Sequence, residues 1–126
     1  CAPAYLAGQA SLSLEALARH PLLLREPGSG TRNSVDAILQ TVGRKAAPLV
    51  ESISTASLVS CAASGQGIAI LPRSQVRQAL AEGRLRELEI DGPAFSQQYF
   101  LVYHRNKYLT DGMKRVIEVI REEMTF

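Results

Sequence analysis

Three times along this chain a short apolar run leads, through a turn rich in glycine, proline or hydroxyl residues, into an amphipathic helix that stops at a glycine. The runs are Leu22-Leu23-Leu24, Leu49 to Ile53, in which Glu51 and Ser52 interrupt the apolar residues, and Ile68-Ala69-Ile70-Leu71. Short apolar runs bounded by turn residues read as buried strands. The first helix reads as 31–42, with Val35, Ile38, Leu39 and Val42 on one face and Gly43 as its stop. The second starts at Ser54 or Thr55, turns Leu58, Val59, Ala62 and Ala63 inward, and ends at Gly65. The third opens at Ser74, runs through Val76, Ala79 and Leu80, and ends at Gly83. Strands that alternate with helices across short connections pair in parallel, because each helix is the crossover that a parallel neighbour requires. The chain is therefore α/β, with an open, mostly parallel sheet and flanking helices.

The flanks are less regular. Residues 3–8 read as a short helix stopped by Gly8, and Ser13 as the cap of a second one holding Leu14, Leu17 and Ala18, which ends before Pro21. Leu85 to Ile90 alternates apolar with charged residues, as a half-exposed strand does. Asp91-Gly92-Pro93 is a turn, and Gln98 to His104 reads as a further strand. A last helix, about 110–124, carries Met113, Val116, Ile117, Ile120 and Met124 at helical spacing. That stripe either packs on the domain's own sheet or covers something this chain does not contain. The expectation is the first.

Composition narrows the function classes. With 126 residues, 46% hydrophobic and 21% charged, the chain has the size and balance of one globular domain rather than a disordered tail. Its apolar runs are a few residues long, far short of the roughly 20 a membrane span needs, so no membrane partner is expected. A net charge of +2 is too balanced for a dedicated nucleic-acid surface. Cys1 and Cys61 are the only cysteines and belong to no closely spaced Cys/His set, so neither a metal nor a cofactor is expected. Cys61 reads as a small buried hydrophobe. A leading Cys1 is what a processed bacterial lipoprotein would show, but also what a chain that simply starts there would show. No signal peptide is visible, which favours the cytoplasm.

No catalytic constellation stands out. There is no Gly-x-Ser-x-Gly elbow, and His20 and His104 have no nucleophile or acid beside them in sequence. An enzyme is not expected. The stretch Arg25-Glu26-Pro27-Gly28-Ser29-Gly30-Thr31-Arg32 is more informative, because it joins a buried strand to a helix start. Gly28 and Gly30 let a ligand approach the backbone, and the free N–H groups of a first helical turn favour an anion. Ser29 and Thr31 add hydroxyls, and Arg32 could add a charge. Asn33 stands where a Gly-x-Gly-x-x-Gly fingerprint needs its last glycine, so a dinucleotide reading is weak. An ordinary capped helix after a glycine turn explains the same residues. Ser54 and Thr55 open the next helix. In a parallel sheet both helix starts lie at the carboxyl edge of the strands, where open α/β folds bind ligands. A small carboxylate, sulfate or phosphate would suit two such starts.

Taken in order, several stretches carry a resemblance. They are Ala-Pro-Ala-Tyr-Leu (2–6), Leu-Leu-Leu-Arg-Glu-Pro-Gly-Ser-Gly-Thr-Arg (22–32), Ala-Ala-Ser-Gly-Gln-Gly-Ile-Ala-Ile-Leu-Pro (62–72) and Glu-Gly-Arg-Leu (82–85). The apolar 99–104 stretch before a terminal helix follows them. The chain resembles the effector-binding domain of LysR-type transcriptional regulators over nearly its whole length. The resemblance implies a Rossmann-like sheet that forms one lobe of a type 2 periplasmic-binding-protein-like domain. Residues about 3–98 would be the second lobe, and about 99–126 the return strand and closing helix. It implies that a small anionic or polar effector sits between lobes, with contacts from Gly28, Ser29, Gly30, Thr31, Arg32, Ser54 and Thr55. It further implies a homodimer, and DNA binding only through a helix-turn-helix domain absent from this chain. The same binding physics would serve a lobe of an extracytoplasmic solute-binding lipoprotein, a reading that Cys1 alone supports.

Overall fold

The structure, a computed structural model, describes residues 1–96 and 99–123. The elements are β1 (Ser11–Ser13), α1 (Leu14–Leu17), β2 (Leu22–Arg25), α2 (Gly30–Thr41), β3 (Pro48–Ser52), α3 (Thr55–Ala63), β4 (Ile68–Ala69), α4 (Arg73–Ala81), β5 (Glu89–Asp91) and α5 (Asp111–Glu123). β2 is the central strand of a three-stranded sheet ordered β3-β2-β4, parallel throughout. β1 and β5 form a separate parallel pair.

β2 shows why the first apolar run holds no polar residue. Leu22, Leu23 and Leu24 are all essentially inaccessible, at 1%, 0% and 0%. Alternate strand residues point to opposite faces, so each face of β2 meets its own core. Leu22 and Leu24 pack with Leu17, Val35, Leu39 and Ile68, under α2. Leu23 packs with Leu58, Val59, Ala62, Ala79 and Leu85, under α3 and α4. A strand buried on both faces is what a parallel sheet with helices on each side demands.

Several expectations are corrected. Residues 3–8 form turns rather than a helix, with Leu6 at a positive φ of 54°. They are held instead by Arg86, whose guanidinium donates to the Tyr5, Leu6 and Gln9 carbonyls at 3.0, 2.7 and 3.1 Å. Ser11–Ser13 is a strand, which its short polar-flanked pattern hid; Ser13 does cap α1, accepting from the Ala16 N–H. The strand expected over 85–90 is confined to β5, because Leu85 turns into the core beneath α4. Residues 99–104 are not a strand, and Gln98 lies outside the described residues. Phe100 and Val102 are 78% and 86% exposed, so no sheet partner covers that stretch. α5 forms where expected but buries none of its described residues. Of its stripe, Met113, Ile117 and Ile120 are half-buried and Val116 is exposed, and none of them joins either core. The expectation that the stripe packs on the domain's own sheet is therefore not met among the described residues; Met124 lies outside them. Cys61 is half-buried at the margin of the second core.

Candidate functional site

β2 and β3 end in register, Arg25 opposite Ser52, and β4 runs parallel beside β2. α2, α3 and α4 therefore all begin at one edge of one sheet. The first two starts are capped by serine. Ser29 Oγ accepts from the Arg32 N–H at 3.3 Å, and Ser54 Oγ from the Ser57 N–H at 3.2 Å. Side-chain acceptors placed there satisfy one of the four orphan donors of a helix start. Gly28 sits at φ 90°, a conformation that only glycine adopts without strain, and it turns the chain from β2 into α2. Gly30 is the first residue of α2. The third start differs. Pro72 is its cap residue and offers no side-chain bond, so the N–H groups of Arg73 and Ser74 carry no side-chain acceptor among the described residues.

Behind these starts lies a polar scaffold. Arg32 Nε reaches both Asp36 carboxylate oxygens at 3.1 Å, and its Nη1 donates to Glu51 Oε2 at 2.7 Å and to the Arg25 carbonyl at 3.1 Å. The side chain is 10% exposed. Its bond to Glu51, offset in part by burial and helped by Asp36, raises the guanidinium's pKa above its ordinary value. Arg25 grips Glu26 with two bonds, at 2.8 and 3.0 Å, which raise the arginine's pKa and lower the glutamate's. Arg25 also donates to Thr55 Oγ1 at 3.5 Å, and Thr55 in turn donates to Gln75 Oε1 at 3.1 Å. A chain of polar contacts thus crosses from α2 to α4. Arg32 and Thr55 belong to this scaffold and are not free donors.

A cleft of about 450 Å³ opens between the first turns of α2 and α4. Thr31, Ser34, Arg73, Ser74, Arg77 and Tyr99 supply its polar lining, and Ile70, Leu71 and Phe95 its apolar walls. Of the residues singled out from the sequence, Thr31 lines this cleft. Gly28, Ser29 and Gly30 form the turn into α2, and Ser54 and Thr55 start the neighbouring helix. Arg32 lies in the first turn of α2 with its guanidinium held by Asp36, Glu51 and the Arg25 carbonyl. Arg73, Ser74 and Arg77 were missed. The signal was present, because Pro72-Arg73-Ser74 follows the third apolar run as Gly28-Ser29-Gly30 follows the first, and the same edge rule applies. A first helical turn with unclaimed N–H groups, a serine hydroxyl and two guanidinium groups is suited to an oxygen-rich anion.

The histidines have local roles. Tyr5 Oη and His20 Nδ1 share a 3.4 Å hydrogen bond with their rings edge to face, and His104 Nδ1 accepts from the Asn106 N–H at 3.2 Å. Among the described residues no group of three or more His, Cys, Asp and Glu side chains is placed to hold a metal ion. No described helix is long and apolar enough to cross a membrane.

Comparison with known proteins agrees with this architecture. Similar curated proteins include "Phosphonates import ATP-binding protein PhnC" of Anaeromyxobacter dehalogenans (strain 2CP-C), 32% identical over 116 residues, or 90% of this chain and 23% of that protein. They also include "HTH-type transcriptional regulator CbbR" of Xanthobacter flavus, 32% identical over 108 residues, or 85% of this chain and 32% of that protein. The chain thus spans a third or less of the length of these two relatives. The solved regulatory domain of CcmR from Synechocystis PCC6803, in complex with 2-PG, has the same fold. Its TM-score is 0.84 at 21% identity, covering 99% of this chain and 61% of that one. The family model described as "LysR substrate binding domain" matches residues 1–125. The chain belongs to the LysR substrate-binding-domain family.

Proposed function

We propose that this chain is the effector-binding part of a LysR-type transcriptional regulator and that it takes a small oxyanion in the cleft between α2 and α4. The observation that carries this reading is the uncapped start of α4, with Ser74, Arg73 and Arg77 around one cleft and Thr31 facing them from α2. The regulator named among the relatives supports the regulatory half of the reading. The 2-PG bound by the structural neighbour, a phosphorylated acid, supports the anion. Gly28, Ser29, Gly30 and Arg32 then set the position of Thr31, and Ser54 and Thr55 hold the adjoining helix start. On this reading the chain binds and does not catalyse. Residues about 3–98 are the second lobe, and about 99–126 return towards a first lobe. The protein works in the cytoplasm as a homodimer and reaches DNA through a separate helix-turn-helix domain. A lipoprotein role fits less well, since Cys1 is buried and its thiol points at the Tyr5 carbonyl.

Calorimetric titration with 2-phosphoglycolate and with inorganic phosphate tests the proposal. The expected result is saturable binding, weakened about tenfold or more by Arg77→Gln, since a hydrogen bond to a charged group contributes about 1.5–3 kcal/mol. Affinity should fall as salt rises. Absence of saturable binding to either anion, or an affinity that Arg77→Gln leaves unchanged, would overturn it.

A further inference from the structure

Two cavities meet at one arginine. The anion cleft and a larger cavity of about 610 Å³ share Ile70, Leu71, Phe95 and Arg73 in their walls. Arg73 is the first residue of α4, at the helix end that no described side chain caps. Its Nε lies 2.9 Å from Glu87 Oε1, and Glu87 lines the larger cavity alone, two residues before β5. The side chains of this ion pair are 81% and 54% exposed. Exposed pairs are weak, so the contact breaks readily. Arg77 lies four residues further along the same helix, on the same face, and lines the anion cleft. Arg73 therefore has Glu87 on one side and, on the other, the cleft beside Arg77 that is proposed above to take an anion.

We infer that Glu87 is an internal competitor for the anion: it holds Arg73 on the β5 side of the wall, and an anion in the cleft draws Arg73 away from it. This inference rests on the anion cleft proposed above. The exchange links cleft occupancy to the 85–91 stretch. That stretch carries β5, the partner of β1, and leads the chain on towards residues 99–123. Occupancy at the sheet edge is thereby felt at a strand pair that contributes nothing to the cleft wall. Glu87 is a positioning residue in this scheme, acting on the anion through Arg73.

The test is a four-way titration of the chain with inorganic phosphate and 2-phosphoglycolate, using the unaltered protein, Glu87→Gln, Arg73→Gln and the double variant. Glu87→Gln should tighten binding about two- to fivefold, the range that an exposed ion pair is worth. A gain of affinity is something that damage to the fold does not produce. Arg73→Gln should weaken binding. In the Arg73→Gln background Glu87→Gln should give no gain, because the two act through one contact. An equal gain in both backgrounds would mean that Glu87 only repels the anion at a distance, and would overturn the inference. So would unchanged or weaker binding by Glu87→Gln alone. Should the unaltered protein bind neither anion, the cleft reading fails with it, and that outcome is visible before any variant is made.

Discussion

Arg32 illustrates how far single residues were legible. Its place beside Gly30 and Thr31 suggested a charge offered to a ligand. The structure instead gives it Asp36, one turn on, and Glu51, from the next strand. Asp36 was within reach of a helical-spacing argument, whereas Glu51 becomes a neighbour only once β3 lies beside β2. Replacing Arg32 by Lys keeps the charge but loses the planar fork that serves three acceptors at once. The expected loss is roughly 1–2 kcal/mol, read from the urea midpoint. Ser29 was legible in full as a cap, and Ser29→Ala should cost about 1 kcal/mol by the same measurement. Glu26 and Glu82 are each held below the ordinary glutamate range by an arginine hydrogen bond, from Arg25 and Arg84. Groups with a depressed folded pKa contribute stability that is complete above their unfolded pKa and disappears as pH falls through the folded one. Stability should therefore decline as pH drops below about 5. Glu26→Gln should make that decline shallower in acid titrations followed by circular dichroism, and an unchanged slope would count against the Arg25–Glu26 contribution.

At the scale of elements, the three strand–turn–helix units were readable because local pattern and tertiary demand agree. β2 needs an apolar run because both its faces are buried, α2 and α3 start at serine caps, and parallel pairing needs the crossovers. β3 is paired without being buried, with Leu49 61% exposed, and α4 starts at Pro72 without a side-chain cap. Reading failed where a long-range partner decides the outcome. Residues 3–8 have the composition of a short helix, but the Arg86 guanidinium fastens their carbonyls into turns from 80 or so positions away in sequence. Residues 99–104 have the composition of a strand, yet no described strand lies beside them to complete one. β4 is short because Leu71 and Pro72 lead directly into α4, and its entry is tight. A Cβ on Gly67 would run into the Pro21 carbonyl, which accepts the Ile68 N–H at 2.9 Å. The glycine is thus required by close approach rather than by a left-handed φ. Gly67→Ala should destabilise by about 1–3 kcal/mol, as overpacking does, and lower the melting temperature by several degrees. A melting temperature equal to that of the unaltered protein would show that the β4 entry has room to shift.

For the molecule as a whole, the buried hydrophobic residues among those described all fall between Cys1 and Leu85. The described residues of the remaining third contribute only partly buried side chains to the core, among them Leu88, Ile90 and Phe95. α5 has the amphipathic pattern of a core helix, with Val116 and Val119 at 58% and 43% exposure. Exposed apolar patches of this kind find partners. Self-association of the chain should accordingly fall in the Val116→Glu, Val119→Glu double variant, measured by sedimentation. The urea midpoint should move by no more than about 0.5 kcal/mol, the usual range for surface changes. An unaltered association constant would place the contact elsewhere. The same distribution of burial predicts how the chain breaks down. Between Ser96 and α5, Tyr99, Phe100, Tyr103 and Tyr108 stand exposed on backbone with no helix or strand among its described residues, whereas Tyr5 and Phe95 are half-buried. Chymotrypsin should therefore nick the chain first within 99–108. The piece that outlasts digestion should carry both cores, the α4 start and the Arg73–Glu87 pair, and it should leave α5 behind as a separate peptide.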